Sequence, residues 1–165
     1  MNFVTTPSFV VRRITLEEAT PVRLDVLRRG TPSRDATYDG DNEPSTLHIG
    51  AEMSGAVIAT STWLMRPWQN DTEALAVQLR GMAVLDSAQN TGVGKALIDA
   101  GIAHARSIGA RYVWAKARDS ALYFYERCGF SVEGEQFIEP ASGVPHHLVV
   151  LDLRVKRKEG IAVER

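Results

Sequence analysis

The change of periodicity between residues 75 and 108 constrains the fold of this chain more than any other sequence feature. Residues 75–84 alternate as a strand does, and one face is predicted to carry Leu75, Val77, Leu79, Gly81 and Ala83. From residue 92 onward the apolar positions recur at helical spacing, at Val93, Leu97, Gly101, Ala105 and Ile108. A strand, a short glycine-bearing turn and an amphipathic helix are therefore expected to follow one another here, with Gly109 ending the helix.

The rest of the chain predicts a mixed α/β domain. Short β-prone or alternating runs indicate further strands over residues 9–14, 47–51, 56–65, 111–115, 130–132 and 147–153. Thr15 and Glu18 stand at capping-box spacing and open a first helix toward Arg29, while Asp119 is expected to cap a later helix that Gly129 ends. Residues 31–45 are rich in Pro, Asp, Asn, Gly and Ser, which predicts a long loop.

Composition and charge narrow the class of protein. Lys and Arg total 19 against 20 for Asp and Glu, a net charge of −1 that gives no reason to expect nucleic acid or an anionic membrane as partner. Cys128 is the single cysteine, so no intrachain disulfide can form. No signal-peptide pattern opens the chain, and its longest mostly apolar stretch, residues 55–65, is shorter than the roughly 20 residues that span a bilayer. We expect one soluble, cytoplasmic domain over residues 1–165, with its core at 9–153 and a charged tail at 154–165.

The turn at residues 89–96 is suited to bind an anion. It precedes the predicted helix, whose first N–H groups and positive dipole end attract negative charge. Gly92 and Gly94 let the backbone approach a phosphate closely, and Asn90 tolerates the left-handed conformation that directs successive amides at one point. Gln89 can add a side-chain donor and Lys95 a positive charge.

Two nucleotide-binding motifs that share these glycines do not match the chain. A Rossmann fingerprint requires a third glycine where this sequence has Leu97. A Walker A loop requires Ser or Thr after Gly-Lys, but Ala96 follows Gly94 and Lys95. Because Gly-x-Gly turns between a strand and a helix are common, the turn alone leaves the identity of the anion open.

The turn and its two flanking segments together resemble the GNAT superfamily of N-acetyltransferases. Residues 89–94 match the coenzyme A pattern Gln/Arg-x-x-Gly-x-Gly/Ala, and residues 79–84 resemble the strand before it. Residues 121–130 resemble the later Ala-x-x-x-Tyr-Glu-x-x-Gly-Phe segment, and the likeness extends over residues 9–153. It implies an α/β (α+β) fold with a mixed, mostly antiparallel sheet of six to seven strands, about four flanking helices and a splay at the cofactor strand.

The resemblance also implies acetyl-CoA (coenzyme A) as co-substrate, no metal, and a set of site residues. Tyr125 corresponds to the general acid that protonates the leaving thiolate; the alternatives are that Tyr125 is a core aromatic, or that Tyr123 is the acid. The family's Asn before this tyrosine is absent, so Arg118 or Lys116 is its candidate replacement. The amides of residues 89–95 are expected to hold the pyrophosphate, and residues 82–84 to pair with the pantetheine arm. The predicted cofactor-binding residues are Met82, Ala83, Val84, Gln89, Asn90, Thr91, Gly92, Val93, Gly94, Lys95, Ala96, Arg118 and Ala121.

No general base stands out in the sequence. The candidates, each of a type that more often has a structural or surface role, are Glu73, His48, His146 and His147. His104, beside the apolar stripe of its helix, is expected to have a structural role, and Cys128 is expected to be packed. The loops at 31–45 and 66–72 are expected to meet the acceptor, through Asp35, Asp39, Asp41, Glu43 and Trp68.

The predicted function is an N-acetyltransferase that moves an acetyl group from acetyl-CoA to a primary amine of a small molecule or protein. Direct attack in a ternary complex is the expected mechanism. The alternative is a non-catalytic acyl-CoA-binding or regulatory domain, and a third interpretation is a nucleotide-binding protein. A homodimer is the commonest oligomer for soluble proteins, although nothing in the sequence specifies one.

Overall fold

A seven-stranded sheet organises the computed structural model of the protein, which describes residues 8–155. Its strands are β1 (Val10–Arg13), β2 (Leu47–Met53), β3 (Ala56–Met65), β4 (Ala76–Val84), β5 (Tyr112–Arg118), β6 (Ser131–Ile138) and β7 (Pro145–Asp152). They lie in the order β1–β2–β3–β4–β5–β7–β6, and all neighbours are antiparallel except β4 and β5. The helices of this described part are α1 (Leu16–Leu27), α2 (Val93–Ser107) and α3 (Leu122–Arg127), with 3₁₀ turns at Asp86–Ala88 and Asp119–Ala121. The predicted fold class is confirmed.

The parallel pair, β4 and β5, separates part-way along its length. Pairing runs from Ala76 with Tyr112 to Leu79 with Ala115 and ends there, so residues 80–84 and 116–118 do not pair with each other. α2 forms the crossover connection that a parallel pair requires. Beyond Leu79, the edge of β4 that faces β5 therefore has backbone groups with no strand partner, as the predicted splay implies.

A β-bulge in β4 changes which of its residues share a face. Two threonines of β3 that are two residues apart pair with Arg80 and Ala83, which are three apart. Gly81 lies inside this bulge with φ +61°, a conformation that glycine adopts without strain. Ala83 consequently shares the face of Arg80 and not that of Leu79. The predicted single face over residues 75–83 is therefore wrong beyond Leu79, because the bulge inserts one residue into the alternation.

α1 and α2 lie on opposite faces of the sheet, as two neighbouring residues of β3 demonstrate. Thr62 accepts a hydrogen bond from Arg23 of α1 at 2.7 Å. The next residue, Trp63, packs against Gly101 of α2, where an added Cβ would lie 1.9 Å from the indole ring. The main core fills the space between the sheet and α2, and its fully buried members include Trp63, Val77, Leu97, Ile98, Val113 and Val149.

Local capping signals had mixed outcomes. Thr15 and Glu18 form the predicted capping box, with reciprocal N–H to side-chain oxygen distances of 3.1 and 2.9 Å. Asp119 does not cap α3, which begins after Ala121 without a side-chain cap. Its carboxylate instead accepts a hydrogen bond from Gln136 at 2.6 Å and contacts Nδ1 of a histidine on β7 at 2.7 Å. That prediction was wrong because partners distant in sequence hold the carboxylate away from the helix.

Two further predictions concern the C-terminal tail and membrane-spanning segments. The predicted charged tail at 154–165 lies outside the described residues from 156 onward. Within residues 8–155, the helices lack the combined length and apolar character that crossing a bilayer requires.

Candidate active site

The turn before α2 has the backbone conformation of an anion cradle. Asn90 has φ +62° and Gly92 has φ +86°, so two of these three residues adopt the left-handed conformation. α2 begins at Val93 with no side-chain cap, and Ala96 is the residue whose N–H bonds back to Gly92, at 3.1 Å. The N–H groups of the first helical turn are therefore left for an acceptor from outside the helix. The buried Ala88, which is 0% exposed, anchors the start of the turn.

The two side chains predicted to assist this cradle are engaged elsewhere. The Gln89 amide nitrogen lies 3.4 Å from the carbonyl oxygen of Val84 and 3.3 Å from the Asp86 carboxylate. Lys95 forms an exposed ion pair with Asp99 on the next helical turn, at 2.8 Å. The capacity of the turn to bind an anion thus rests on backbone amides and the helix dipole.

A cavity occupies the opening between β4 and β5. Its apolar wall consists of Leu79, Gly81, Met82, Ala117, Ala121 and Phe124. Among the predicted cofactor-binding residues, Met82, Arg118 and Ala121 line it, whereas residues 89–96 lie outside its lining. The cradle and the cavity are connected through packing, because a Cβ on Gly94 would contact the ring of Phe124 at 3.3 Å and the side chain of Met82 at 3.6 Å.

Tyr125 lines the same cavity from α3 and is 6% exposed. Edge contacts with Phe124 and Phe130, with ring centroids 5.3 and 5.4 Å away, hold its ring. Burial, with a smaller contribution from Cys128, raises the pKa of the Tyr125 hydroxyl well above its ordinary value. The Tyr125 hydroxyl therefore stays protonated at neutral pH. Tyr123 is 73% exposed and does not line the cavity.

The candidate replacements for the family's missing asparagine both border the cavity. Arg118 donates a hydrogen bond from Nη2 to the Leu27 carbonyl at 3.0 Å, which ties the end of β5 to the end of α1. Lys116, two residues before Arg118 on β5, is exposed and also lines the cavity.

Polar residues from three separate segments complete the cavity wall. Arg28 and Tyr38 come from the region after α1, and Gln78 and Arg80 come from β4. The β6–β7 turn and β7 contribute Glu139, Ser142 and His146. Of these seven residues, sequence reasoning named only His146 as a candidate. The available signal was in β4, where Gln78 and Arg80 interrupt an apolar strand.

The acidic loop residues predicted to meet the acceptor have other partners. Asp41 is buried in an ion pair with Arg23 at 2.8 Å, and Glu43 pairs with Arg66 at 2.8 Å. Asp35 accepts hydrogen bonds from Thr37, Asp39 is exposed, and Trp68 makes a tilted ring contact with Trp114, with centroids 5.8 Å apart. None of the five lines the cavity between the strands. The loop contributes Tyr38 to it instead.

The candidate bases occupy different environments. His48 is buried, with Nδ1 2.8 Å from the Thr62 hydroxyl and Nε2 3.0 Å from the Asp41 carbonyl, so both nitrogens have structural partners. His147 contacts Asp119 at 2.7 Å, and Glu73 is exposed outside the cavity lining.

His146 alone among these candidates lines the cavity. Its Nδ1 lies 2.9 Å from the Val144 carbonyl. Since a carbonyl oxygen can only accept, this contact requires the proton on Nδ1 and leaves Nε2 as the acceptor of the neutral ring.

Comparison with known proteins identifies the family. The model of the acetyltransferase (GNAT) family matches residues 14–130. The chain belongs to the GNAT family. A curated relative of this GNAT protein, the uncharacterized N-acetyltransferase YitI of Bacillus subtilis (strain 168), is 28% identical over 140 residues, which are 85% of this chain and 93% of the relative.

Solved structures share the fold of this GNAT protein at low sequence identity. FeeM, an N-acyl amino acid synthase from uncultured soil microbes, superposes with a TM-score of 0.77 at 13% identity and covers 90% of this chain and 92% of its own. An acyl-CoA N-acyltransferase from Pseudomonas aeruginosa gives a TM-score of 0.69 at 20% identity and covers 87% and 98%.

The residues of this GNAT protein fit coenzyme A. The left-handed φ of Gly92, with open space where a Cβ would be, leaves the first amides of α2 accessible to a phosphate. The free edge of β4 beyond Leu79 offers main-chain partners to an extended amide-bearing arm. Cys128 is buried below Tyr125 and does not line the cavity. Within residues 8–155, no group of three His, Cys, Asp or Glu side chains could hold a metal ion.

Proposed function

We propose that this GNAT protein transfers an acetyl group from acetyl-CoA to a primary amine by direct attack within a ternary complex. The observation that carries the proposal is that the unpaired edge of β4 and the protonated Tyr125 border one cavity. The amide cradle at the start of α2 packs against the wall of that cavity. The printed names of YitI and of the Pseudomonas aeruginosa enzyme, an N-acetyltransferase and an acyl-CoA N-acyltransferase, agree with it.

In this proposal the backbone binds the donor. Acetyl-CoA supplies a thioester carbonyl that is activated toward attack by nitrogen. The amides of residues 92–95 would hold the pyrophosphate, and residues 82–84 would hydrogen-bond the pantetheine arm along the edge of β4. Since Cys128 lies outside the cavity wall, an acyl-cysteine intermediate has no support, and the amine attacks the thioester directly.

Two side chains of the cavity wall would move the protons. An alkyl amine has a pKa near ~10.4 and is mostly protonated at neutral pH, so it must lose a proton before it attacks. Nε2 of His146 accepts that proton, directly or through a water molecule. As the C–N bond forms and the C–S bond breaks, Tyr125 donates its phenolic proton to the departing sulfur. The attacking nitrogen loses its second proton as it becomes an amide, and that proton, directly or through water, restores the Tyr125 phenol.

Tyr125→Phe tests this assignment against the matched control Tyr123→Phe. We expect Tyr125→Phe to lower the rate of thiol release from acetyl-CoA, in the presence of an amine acceptor, by about 10²-fold or more. Thermal stabilisation by coenzyme A should be equal in both variants and in the unmodified protein, because the cradle is unchanged. Tyr123 is exposed and outside the cavity, so its variant should retain full activity.

Three results would count against the proposal in different ways. Equal activity of the two tyrosine variants would remove Tyr125 from the acid's role. Stabilisation by coenzyme A without thiol release for any amine of a broad panel would favour a non-catalytic acyl-CoA-binding domain. Absence of stabilisation at saturating coenzyme A would refute the donor itself.

A further inference from the structure

The cavity between β4 and β5 carries an excess of positive charge. Its lining includes four cationic side chains, Arg28, Arg80, Lys116 and Arg118, and a single carboxylate, that of Glu139. None of the four cations forms an ion pair with a described carboxylate. Other arginines of the described part do so, as the pairs of Arg12, Arg23, Arg29, Arg66 and Arg111 illustrate.

Arg28 is the most telling member of this cluster, because it is only 5% exposed. Its Nε donates to the Asp35 carbonyl at 3.0 Å and its Nη1 to the Leu27 carbonyl at 3.2 Å. Its Nη2 makes no hydrogen bond to any described residue. The Asp35 carboxylate is occupied by Thr37. Asp35 is close enough to interact with the Arg28 charge but forms no ion pair with it, so an anion in the cavity would give this guanidinium a direct charged partner.

Arg80 and Arg28 approach the same aromatic ring. Its guanidinium carbon lies 4.5 Å from the centroid of Tyr38, and that of Arg28 lies 6.0 Å from the same centroid. Arg23 approaches this ring too, at 4.8 Å, but Asp41 neutralises its charge. Cation–π contact with Tyr38 therefore orients Arg80 and Arg28 without neutralising either.

The pyrophosphate of coenzyme A does not account for this charge. Its predicted cradle, residues 89–96, is absent from the cavity lining. Arg28 and Arg80 instead lie at the end of α1 and on β4, and they share the cavity wall with Tyr125, His146 and the β6–β7 turn.

We propose that the acceptor is a small amine that also carries an anionic oxygen group, a carboxylate or a phosphate, bound by Arg80 and Arg28. This inference rests on the proposed transferase function. Glu139, the one acid of the wall, would attract the ammonium end of the same molecule before His146 takes its proton. Two oxygens of a carboxylate or of a phosphate suit the bidentate fork of a guanidinium, which agrees with arginine and not only lysine lining this wall.

The test compares acceptors that differ only in their anionic group. Thiol release from acetyl-CoA is measured for each of a panel of amino acids and for its amide, and for ethanolamine phosphate and ethanolamine. An α-amino amide is less basic than the amino acid, so more of it is neutral at pH 7 and intrinsic reactivity favours the amide. We nevertheless expect kcat/KM to be at least about tenfold higher for the best anionic acceptor than for its neutral counterpart. The pair that responds shows whether the anion is a carboxylate or a phosphate.

Arg80→Met should bring that ratio close to one through a higher KM for the anionic acceptor. Arg80→Lys should restore part of the ratio, because it restores the charge without the fork. Arg34→Met is the matched control, since Arg34 is an exposed arginine of the loop between α1 and β2 and does not line the cavity.

Each contrary result has its own meaning. Equal or better turnover of the neutral acceptors by the unmodified protein would overturn the inference and leave the transferase function intact. A preference for anions that Arg80→Met does not change would overturn the assignment to Arg80. Absence of thiol release for every acceptor, with coenzyme A still stabilising the fold, would overturn the transferase function and the inference with it.

Discussion

Replacement of Asp41 by Asn is expected to destabilise the fold strongly, because it removes the counter-ion of a buried arginine. The Asp41 carboxylate accepts hydrogen bonds from the two Arg23 Nη atoms, at 2.8 and 2.9 Å, and from the Tyr38 N–H at 2.8 Å. The side chains of Arg23 and Asp41 are 0% and 3% exposed. An amide keeps the size of the carboxylate but leaves the Arg23 charge buried without compensation.

The magnitude follows from this burial. Breaking a buried ion pair by removing one partner lowers the free energy of unfolding by about 3–5 kcal/mol. In a domain of this length each kcal/mol shifts the melting temperature by about 2–4 °C, so Asp41→Asn should lower it by roughly 6–20 °C. A double variant, Arg23→Met with Asp41→Leu, should be less destabilised than Asp41→Asn alone, since no charge then stays buried.

Thermal unfolding followed by circular dichroism measures the effect, with Asp39→Asn as control. Asp39 is exposed two residues away, so its variant should stay within about 0.5 kcal/mol of the unmodified protein. A melting temperature of Asp41→Asn equal to that of Asp39→Asn would refute the reasoning. So would a double variant that is less stable than Asp41→Asn.

The same pair predicts a pH dependence. Burial acts to raise the pKa of the Asp41 carboxyl, but the hydrogen bonds from Arg23 and Tyr38 outweigh it and lower the pKa below its ordinary value. The stability contributed by Asp41 is therefore present above its unfolded pKa of about 3.9, and it is lost as the pH falls through the lower folded pKa. The stability difference between the unmodified protein and Asp41→Asn should shrink over that acidic window.

Two further predictions concern α2. In thermal melts, Gly101→Ala should lower the free energy of unfolding by about 1–3 kcal/mol net, because the new Cβ would lie 1.9 Å from the Trp63 ring. The gain in helix propensity of about 1 kcal/mol cannot offset that overlap. Unchanged stability would contradict the packing of Trp63 against Gly101. At the cradle, Lys95→Ala should change the calorimetric Kd for coenzyme A by less than about threefold, since the charge is exposed and paired with Asp99. Gly92→Ala should weaken binding more, because φ +86° strains an alanine by about 1–2 kcal/mol; the reverse order would show that the side chain and not the backbone holds the phosphate.

Patterns that are short in sequence predicted the strand, turn and helix around residues 89–96 well. The strand, turn and helix over residues 75–108 form as expected, and Asn90 and Gly92 adopt the left-handed conformations that their residue types favour. These features depend on residues within a few positions of one another, so periodicity and turn chemistry are enough to specify them. The bulge at Gly81 escaped prediction because it depends on the register with β3.

The polar wall of the cavity escaped prediction for a related reason. The loop acids were expected to meet the acceptor, but Asp41 and Glu43 are neutralised by Arg23 and Arg66, which lie elsewhere in the chain. Most of the charge in the cavity wall is positive, on Arg28, Arg80, Lys116 and Arg118. A net charge of −1 for the whole chain conveys nothing of this local excess.

By itself, then, the sequence determined the family likeness, the order of the elements and the left-handed turn before α2, because local patterns along the chain encode each of them. Only the tertiary structure decided which histidine borders the cavity, which acids are neutralised and which arginines line the cavity. Those properties depend on ion pairs and hydrogen bonds between segments far apart in sequence, such as Arg23 with Asp41. Pairing decides whether a charge supports the fold or remains available to bind a ligand.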